Sequence, residues 1–429
     1  MKNARSRSTV TLIGASAVTL IGASVRAAAQ SAALAGLQVI GADQFGDRDC
    51  RAVCKDFVLL REPSDGHITF TARDFVAETL SQSSPWPPHL LVVGGFAQDC
   101  QTLDHAGFAA SPELIQPAFL AQLASEVGMQ FPTTFSADRQ SRPHAPARTP
   151  DPPQPASTRW LWKDLSSSGG LDVRWANPPD AEIPFNNPAP RRSGHPVYQR
   201  WIAGKRFGVS YLSDGNTVVR LGTCRSLHTK KAAGPFVYSG SYGPVSLTAP
   251  QNRQLDQLGE TLVANTQLSG LFGIDVIIDA QSKLWLLEIN PRWTASSELI
   301  ERDLIRRGVL RERESLIGAA CKIHFPTLDP RLSLPSVADL NARIGQSVCH
   351  HPPLLKQVIF ATRSGKLDCD ALLRLCTDSI TFHDIPSSET PIVAGHPLCS
   401  LIGSGDWRSS CPPWPDLRTV VRAAQAAVC

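Results

Sequence analysis

Two acidic side chains and one amide stand at a spacing that could hold a divalent cation. They are Asp275, Glu288 and Asn290, and they lie in two β-prone runs, 273–279 and 284–290, which flank a short polar turn. Such a pair of runs predicts an antiparallel hairpin.

Pairing Asp279 with Leu284 sets the register of this hairpin and places Asp275 directly opposite Glu288. Because side chains alternate between the two faces of a strand, Asp275, Glu288 and Asn290 are expected to share one face. The opposite face is predicted to be apolar and to belong to the core, with these members: Ile274, Val276, Ile278, Trp285, Leu287 and Ile289.

Directly opposed carboxylates repel each other, and a cation between them turns this repulsion into a binding site. Carboxylate and amide oxygens suit Mg²⁺ that is bound together with phosphates. Gly273 is expected opposite Asn290, where its missing side chain leaves room. Arg292 follows the strand, and its guanidinium could hold a phosphate or a carboxylate by paired hydrogen bonds.

The segments Gly273-x-Asp275 and Leu287-Glu288-Ile289-Asn290-Pro291-Arg292 together resemble the metal-binding end of ATP-grasp enzymes. The closest resemblance is to carboxylate–amine ligases related to carbamoyl-phosphate synthase and tyramine–glutamate ligase. It implies that Asp275, Glu288 and Asn290 bind Mg²⁺ or Mn²⁺, and that Arg292 is catalytic. The alternative interpretation is an amphipathic edge hairpin with a solvated acidic face.

A lysine on a short strand, Lys163, precedes a loop rich in serine and glycine, 164–173. An ammonium group can neutralise phosphate oxygens, and the N–H groups of such a loop can close over them. The arrangement resembles the ATP-grasp lysine and its glycine-rich lid. The resemblance implies that Lys163, Ser168, Gly169 and Gly170 contact ATP, with Lys163 also taking part in catalysis.

Two acids in this loop, Asp164 and Asp172, depart from the family pattern. An acid in the lid would weaken its contact with phosphates. This departure keeps open a second hypothesis, a protein that retains the fold and binds ATP with little turnover.

The segment 198–204 resembles the hinge that holds adenine in ATP-grasp enzymes. The resemblance implies that backbone groups near Trp201 and Ile202 read the purine edge, and that Gln199 lies near the ribose. Further along, a loop carries basic residues that could approach phosphate or substrate: Arg225, Lys230 and Lys231.

The N-terminal part predicts a parallel βαβ unit, with a strand near 18–25, an alanine-rich helix over 26–35 and a strand over 37–40. It resembles the Rossmann-like domain that precedes the ATP-grasp module. The dinucleotide fingerprint G-x-G-x-x-G is absent, although Asp43 stands at a suitable distance, so a nucleotide-dependent oxidoreductase stays a third hypothesis.

A buried strand over 89–93 ends in Gly94 and Gly95. Ligands collect at the carboxyl ends of such strands in open parallel sheets. The backbone of these two glycines is therefore expected beside the substrate, or else it only forms a tight turn.

The expected fold class is α/β (α+β ATP-grasp). We expect a Rossmann-like domain over 1–112, an ATP-grasp domain of two subdomains over 113–330, and a small β-rich C-terminal module over 331–429. Proline, arginine and serine dominate 136–158, which predicts a flexible segment.

Bulk composition narrows the function further. The 429 residues carry a net charge of +4 and no basic stripe, which argues against a nucleic-acid partner. The sequence contains no run of eighteen apolar residues, so no membrane span is predicted. The N-terminus resembles a secretory signal, but Arg26 interrupts the cleavage region and ATP-dependent chemistry favours the cytoplasm.

Together these features predict an ATP- and Mg²⁺-dependent ligase. The resemblance implies that a carboxylate takes the γ-phosphate to form an acyl phosphate, which a small-molecule amine then converts to an amide. The identity of the acid and of the amine is not encoded in these motifs.

Overall fold

A computed structural model describes most of the chain, and the statements below concern only the described residues. These are residues 16–60, 89–94, 112–137, 159–165, 169–170, 173–176, 196–228, 235–348, 351–404 and 417–429. The predicted flexible segment, 136–158, therefore lies almost wholly outside them.

The N-terminal part forms a parallel four-stranded sheet, as the βαβ pattern predicts. Its strands follow the order β3-β2-β1-β4, so that β1 lies between β2 and β4. The strands and helices of this part are β1 (Ala17–Ile21), α1 (Arg26–Leu34), β2 (Gln38–Asp43), α2 (Arg48–Arg51), β3 (Cys54–Leu59) and β4 (Leu90–Val92).

Asp43 has a structural role that does not fit dinucleotide binding. Its carboxylate accepts hydrogen bonds from the backbone N–H groups of Val25 (3.0 Å), Phe45 (3.0 Å) and Gly46 (2.8 Å). A Cβ on Gly22 would lie 1.7 Å from the carbonyl oxygen of Val93, so this glycine is required for packing against β4. Neither residue supports the oxidoreductase hypothesis.

The centre of the molecule is an eight-stranded sheet in the order β13-β12-β9-β10-β11-β14-β16-β15. Strands from the predicted C-terminal module continue the same sheet as strands from the predicted ATP-grasp part. The strands are β9 (Lys205–Asp214), β10 (Val218–His228), β11 (Tyr238–Gly243), β12 (Ser269–Ile278), β13 (Leu284–Asn290), β14 (Leu354–Phe360), β15 (Ile380–His383) and β16 (Pro397–Ser404).

A small antiparallel sheet carries the strand with Lys163. Its order is β5-β8-β6-β7, and its strands are β5 (Thr134–Ser136), β6 (Trp160–Asp164), β7 (Val173–Ala176) and β8 (Pro196–Arg200).

The helices cover the sheets, and the first of them lies where the alanine-rich run predicts it. They include α3 (Pro117–Glu126), α4 (Ala249–Thr266), α5 (Ser297–Arg306), α6 (Leu316–His324), α7 (Val337–Gln346), α8 (Cys369–Leu373) and α9 (Leu417–Ala426). None of the helices in the described part of the chain combines the length and apolarity that a membrane crossing needs.

A buried charge network joins four separate parts of the chain. Arg26 is fully buried, and its guanidinium donates to Asp384 (2.8 and 3.0 Å) and to Glu298 (3.0 Å). Lys356 donates to the same glutamate at 2.7 Å. Because each charge has a partner, the network ties α1 to α5, β14 and the loop after β15.

Candidate active site

The hairpin formed by β12 and β13 has the predicted register where it matters for the site. Asp275 pairs with Glu288, and Gly273 pairs with Asn290. The turn end differs, because Leu284 pairs with Ile278 rather than with Asp279.

A β-bulge after Asp275 accounts for this difference. Two residues on β13, Leu287 and Glu288, occupy the space opposite one residue of β12, which shifts the register by one. The bulge also reverses the alternation, so the predicted apolar face is wrong for β13 near the turn. Leu286 is fully buried in the core, whereas Trp285 and Leu287 are only half-buried.

The three predicted metal ligands lie side by side. The side-chain amide of Asn290 donates to Asp275 Oδ2 at 3.1 Å and approaches Glu288 Oε1 at 3.5 Å. Its carbonyl oxygen accepts from Arg292 Nη2 at 2.9 Å. A rotation of this amide by 180° would present the oxygen to the carboxylates, and the choice between the two orientations depends on hydrogen bonding alone.

Lys163 reaches this group from the small sheet. Its ammonium forms an ion pair with Glu288, although 125 positions separate the two residues in the chain. The predicted phosphate-binding lysine and the predicted metal ligands therefore form one site between the two sheets.

The two carboxyls of the site titrate in opposite directions. Burial, together with the nearby charge of Glu288, raises the pKa of Asp275. Burial also acts to raise the pKa of Glu288, but the ammonium of Lys163 outweighs it and holds this pKa below its usual range. A divalent cation would stabilise both groups in their ionised form.

Two glycines allow the segment after Arg292 to lie against the sheet. A Cβ on Gly273 would lie 2.4 Å from Thr294 Cγ2, and one on Gly208 would lie 3.2 Å from Ser296 Oγ and 3.4 Å from Asp275 Oδ1. The room predicted beside Asn290 is thus occupied by Thr294. Its hydroxyl is 3.1 Å from that of Ser296, which places two hydroxyl groups beside the carboxylates.

The small sheet turns one face towards this site. Leu161 pairs with Gln199 and Lys163 pairs with Val197, so all four side chains share the face that carries the lysine. Asp164 lies on the opposite face and is buried. Its side chain therefore lies on the face of β6 that Lys163 does not occupy.

The predicted adenine hinge has one backbone donor available. The N–H of Trp201 donates to the carbonyl of Arg159 at 2.9 Å, whereas the N–H of Ile202 has no backbone partner among the described residues. The amide of Gln199 donates to Thr134 Oγ1 at 3.2 Å, so this side chain is anchored within its own sheet.

The lid turn contacts the segment that leads into β11. Gly169 accepts a hydrogen bond from the N–H of Tyr238 at 3.1 Å, and a Cβ on Gly170 would lie 2.1 Å from the carbonyl oxygen of Phe236. Trp175 packs edge-on against Phe236, with 5.1 Å between ring centroids. Ser168 and Asp172 lie outside the described residues.

Two basic side chains have roles that the sequence did not predict correctly. Arg225 pairs with Phe207 and is exposed on the sheet face opposite Asp275, so it does not approach the site. Arg206, which the motifs did not single out, shares the face of Asp275 and lies close enough to interact electrostatically with both Asp275 and Glu288. Lys230 and Lys231 fall outside the described residues.

The N-terminal sheet meets the site at its carboxyl edge. Val93, directly after β4, forms a parallel bridge with Trp293, the residue after Arg292. Gly94 adopts a positive φ of 68° and lies beside the backbone of Ser24. The strand ends predicted to adjoin the substrate are therefore next to Arg292, while Gly95 lies outside the described residues.

Comparison with known proteins agrees with this geometry. Residues 120–296 match the family described as the ATP-grasp domain. The chain contains an ATP-grasp domain. This match includes Lys163, the hinge and the hairpin, whereas a comparison of the sequence with curated proteins gave no match.

Solved structures share the ATP-grasp fold over nearly the whole chain. An L-amino acid ligase from Bacillus licheniformis is 11% identical, with a TM-score of 0.60 and coverage of 96% of this chain and 97% of that one. N5-carboxyaminoimidazole synthetase from Staphylococcus aureus is 14% identical, with a TM-score of 0.57 and coverage of 91% and 93%. The corresponding Aspergillus clavatus enzyme, in complex with ADP and 5-aminoimidazole ribonucleotide, is 13% identical, with a TM-score of 0.58 and coverage of 96% and 97%.

Proposed function

We propose that this ATP-grasp protein is an ATP-dependent ligase that joins a carboxylate to an amine and releases ADP and phosphate. One observation carries the proposal: Lys163 from the small sheet meets Asp275, Glu288 and Asn290 of the hairpin, with Arg292 beside them. Phosphoryl transfer needs alignment and charge neutralisation, and these groups supply both.

The donor set fits a divalent cation bound with phosphates. No group of three His, Cys, Asp or Glu side chains in the described part of the chain is arranged to hold a metal ion by itself. A site of two carboxylates and one amide suits Mg²⁺, which keeps waters and takes its remaining ligands from phosphates. Asp275, Glu288 and Asn290 would hold the ion, which would neutralise charge on the transferring phosphoryl group.

The reaction balances as two substitutions. A carboxylate oxygen of the first substrate attacks the γ-phosphorus, and the bond to the β-bridging oxygen breaks to release ADP. The amine then attacks the acyl carbon, phosphate leaves, and the amine nitrogen loses a proton. Lys163 neutralises phosphate charge, and the guanidinium of Arg292 stabilises the charge that develops beside the acyl group.

The entry for the carboxylate is proposed where the strand ends of the N-terminal sheet adjoin Arg292. At this place Val93 bridges Trp293, and Thr294 and Ser296 contribute hydroxyl groups. The named neighbours that act on amino acids or on 5-aminoimidazole ribonucleotide support a small-molecule acid and amine for this chain as well.

ADP release over a panel of carboxylic acids and amines tests the proposal. We expect release that requires one acid, one amine and Mg²⁺, and we expect Glu288→Gln to reduce it at least about 100-fold, in the range of removing one transition-state charge contact. Glu260→Gln, an exposed change on α4, is the matched control. Full turnover in Glu288→Gln would refute the metal assignment.

The same assay separates the proposal from its alternative. A protein that binds ATP without turnover would show nucleotide binding but no ADP release with any pair. Cytoplasmic location, which the need for ATP favours, stays part of the proposal and is tested by cell fractionation.

A further inference from the structure

Two cysteines of the N-terminal part lie close together and take no part in the proposed reaction. Cys50 belongs to α2 and is fully buried, whereas Cys54 begins β3 and is partly exposed. The chain turns tightly between them, and the N–H of Val53 donates to the carbonyl of Cys50 at 3.2 Å. Cys54 packs against the apolar cluster that contains Cys50, so the turn returns both side chains to one core.

The two thiols interact directly. Their interaction is the largest cause that raises the pKa of Cys50 and lowers the pKa of Cys54. Gly41 on the neighbouring strand leaves space for the second sulphur, because a Cβ on this glycine would lie 2.9 Å from Cys54 Sγ. A disulfide needs two cysteines whose side chains already point towards each other, and this pair meets that condition.

A cation next to the pair favours the thiolate of Cys54. The guanidinium of Arg51 lies over the ring of Phe57, 4.5 Å from its centroid, and donates to the carbonyl of Gly46 at 2.9 Å. Its charge acts to lower the pKa of Cys54. A partly exposed thiol with thiolate character attacks disulfides in solution, whereas a buried thiol is inert.

We infer that Cys50 and Cys54 form a reversible disulfide by exchange with a small-molecule disulfide such as oxidised glutathione, with Cys54 as the attacking thiol. In the first step the Cys54 thiolate attacks one glutathione sulphur, and the other glutathione leaves as a thiolate that takes up a proton. In the second step Cys50 loses its proton and its sulphur attacks that of Cys54, which releases the first glutathione. The two thiols of the protein are oxidised, and one glutathione disulfide is reduced to two thiols.

The first step prepares the second. Once Cys54 is joined to glutathione it carries no negative charge, so the largest cause that raises the pKa of Cys50 is removed. The Cys50 thiol then ionises more readily, beside the sulphur that it attacks.

The cysteine pair adjoins a contact between the N-terminal part and the loop after β15. Asp49, the residue before Cys50, accepts hydrogen bonds from the N–H groups of Asp384 and Ile385, both at 3.0 Å. The modification site thus lies one residue from a contact that holds distant parts of the chain together.

Non-reducing peptide mapping of the full-length chain tests the inference. The protein is incubated with oxidised glutathione, its free thiols are blocked with iodoacetamide, and it is digested with trypsin. Because Arg51 lies between the two cysteines, trypsin places them in separate peptides, 49–51 and 52–55. We expect these two peptides as one disulfide-linked species that is lost on reduction with dithiothreitol.

Single variants test the order of attack. Cys50→Ser is expected to retain glutathione on Cys54, because no second thiol displaces it. Cys54→Ser should carry no glutathione on Cys50, which is fully buried. Cys376→Ser removes an exposed cysteine elsewhere in the fold, and as the matched control it should form the linked species as the natural protein does.

Three results would overturn the inference. They are absence of the linked species from the natural protein, glutathione on Cys50 in Cys54→Ser, or a bond from either peptide to another cysteine in place of the expected one. The mapping of the natural protein does not depend on the folding of any variant. The inference is also independent of the proposed ligase activity, which the ADP-release assay tests separately.

Discussion

Replacing Gly273 by alanine tests how the site hairpin is held against the segment that follows it. The new Cβ would lie 2.4 Å from Thr294 Cγ2, a distance at which one group must move. The next atoms of Thr294 are at 3.3 and 3.4 Å, which small shifts can accommodate. The clash is thus with a single methyl group, and overpacking of this kind costs about 1–3 kcal/mol.

A second substitution that removes this methyl group should relieve the clash. Thr294→Ser keeps the hydroxyl, which lies 3.1 Å from Ser296 Oγ, and alone should cost about 0.5–1.5 kcal/mol, as for other single buried methyl groups. The double variant Gly273→Ala/Thr294→Ser should therefore be close in stability to Thr294→Ser alone. The free energy of unfolding in urea is measured for the natural protein, the two single variants and the double variant. We expect a favourable coupling energy of about 1–3 kcal/mol between the two substitutions.

ADP release should change in the same way as stability across these four proteins, since the displaced Thr294 lies near Asp275 and Arg292. We expect ADP release to fall in Gly273→Ala and to return in the double variant. Additive effects of the two substitutions, or an unaffected Gly273→Ala, would show that the close approach of Thr294 to the hairpin does not limit the site.

Three further predictions concern the lid, the buried network and the pH dependence of stability. Gly170→Ala, with φ of 76° and its Cβ 2.1 Å from a carbonyl oxygen, should weaken ATP binding about tenfold or more in a titration, since such strain costs roughly 1–3 kcal/mol. Gly169→Ala, with open space around its Cβ, should lose less. Arg26→Met leaves Glu298 and Asp384 without their main cation and should lower the free energy of unfolding in urea by about 3–5 kcal/mol; a loss below about 1 kcal/mol would contradict this. Burial lowers the pKa of His324 to about 4, so the unfolded chain takes up the proton first and stability falls as pH drops from 6.5 to 4, by at most about 3 kcal/mol. The melting temperature of His324→Gln, measured across this pH range, should therefore change less with pH than that of the natural protein.

Local patterns in the sequence were sufficient for the hairpin and for the first βαβ unit. The pairing of Asp275 with Glu288 follows from two β-prone runs and a turn of known length, and the bulge did not disturb it. The bulge itself was not predictable, because Leu287 fits either face of a strand and nothing in its type indicates the extra residue. Packing against the core, where Leu286 is fully buried, decides the alternation instead.

Contacts between segments that are distant in the sequence could not be predicted from local patterns. The register between β9 and β12 depends on how two separately formed strands meet, so Arg206 could not be placed beside Asp275 from its neighbours in the sequence. The ATP-grasp resemblance anticipated the approach of Lys163 to the hairpin, but its direct pairing with Glu288 emerges only from the structure.

Lys163 and Glu288 are already paired before a nucleotide and its metal bind. A nucleotide and its metal must replace each partner of this ion pair: the phosphates take the ammonium, and the cation takes the carboxylate. Each charge therefore exchanges one opposite charge for another, and neither is left unpaired in a partly buried site. The small sheet is thereby kept against the hairpin before the nucleotide arrives, and the lysine needs only a short movement to reach the phosphates. Removing the ammonium with Lys163→Met should then have two separate effects, weaker ATP binding and a raised pKa of Glu288, because the ammonium would no longer oppose the effect of burial. A Lys163→Met protein that bound ATP as tightly as the natural chain would show that this ion pair is incidental to the site.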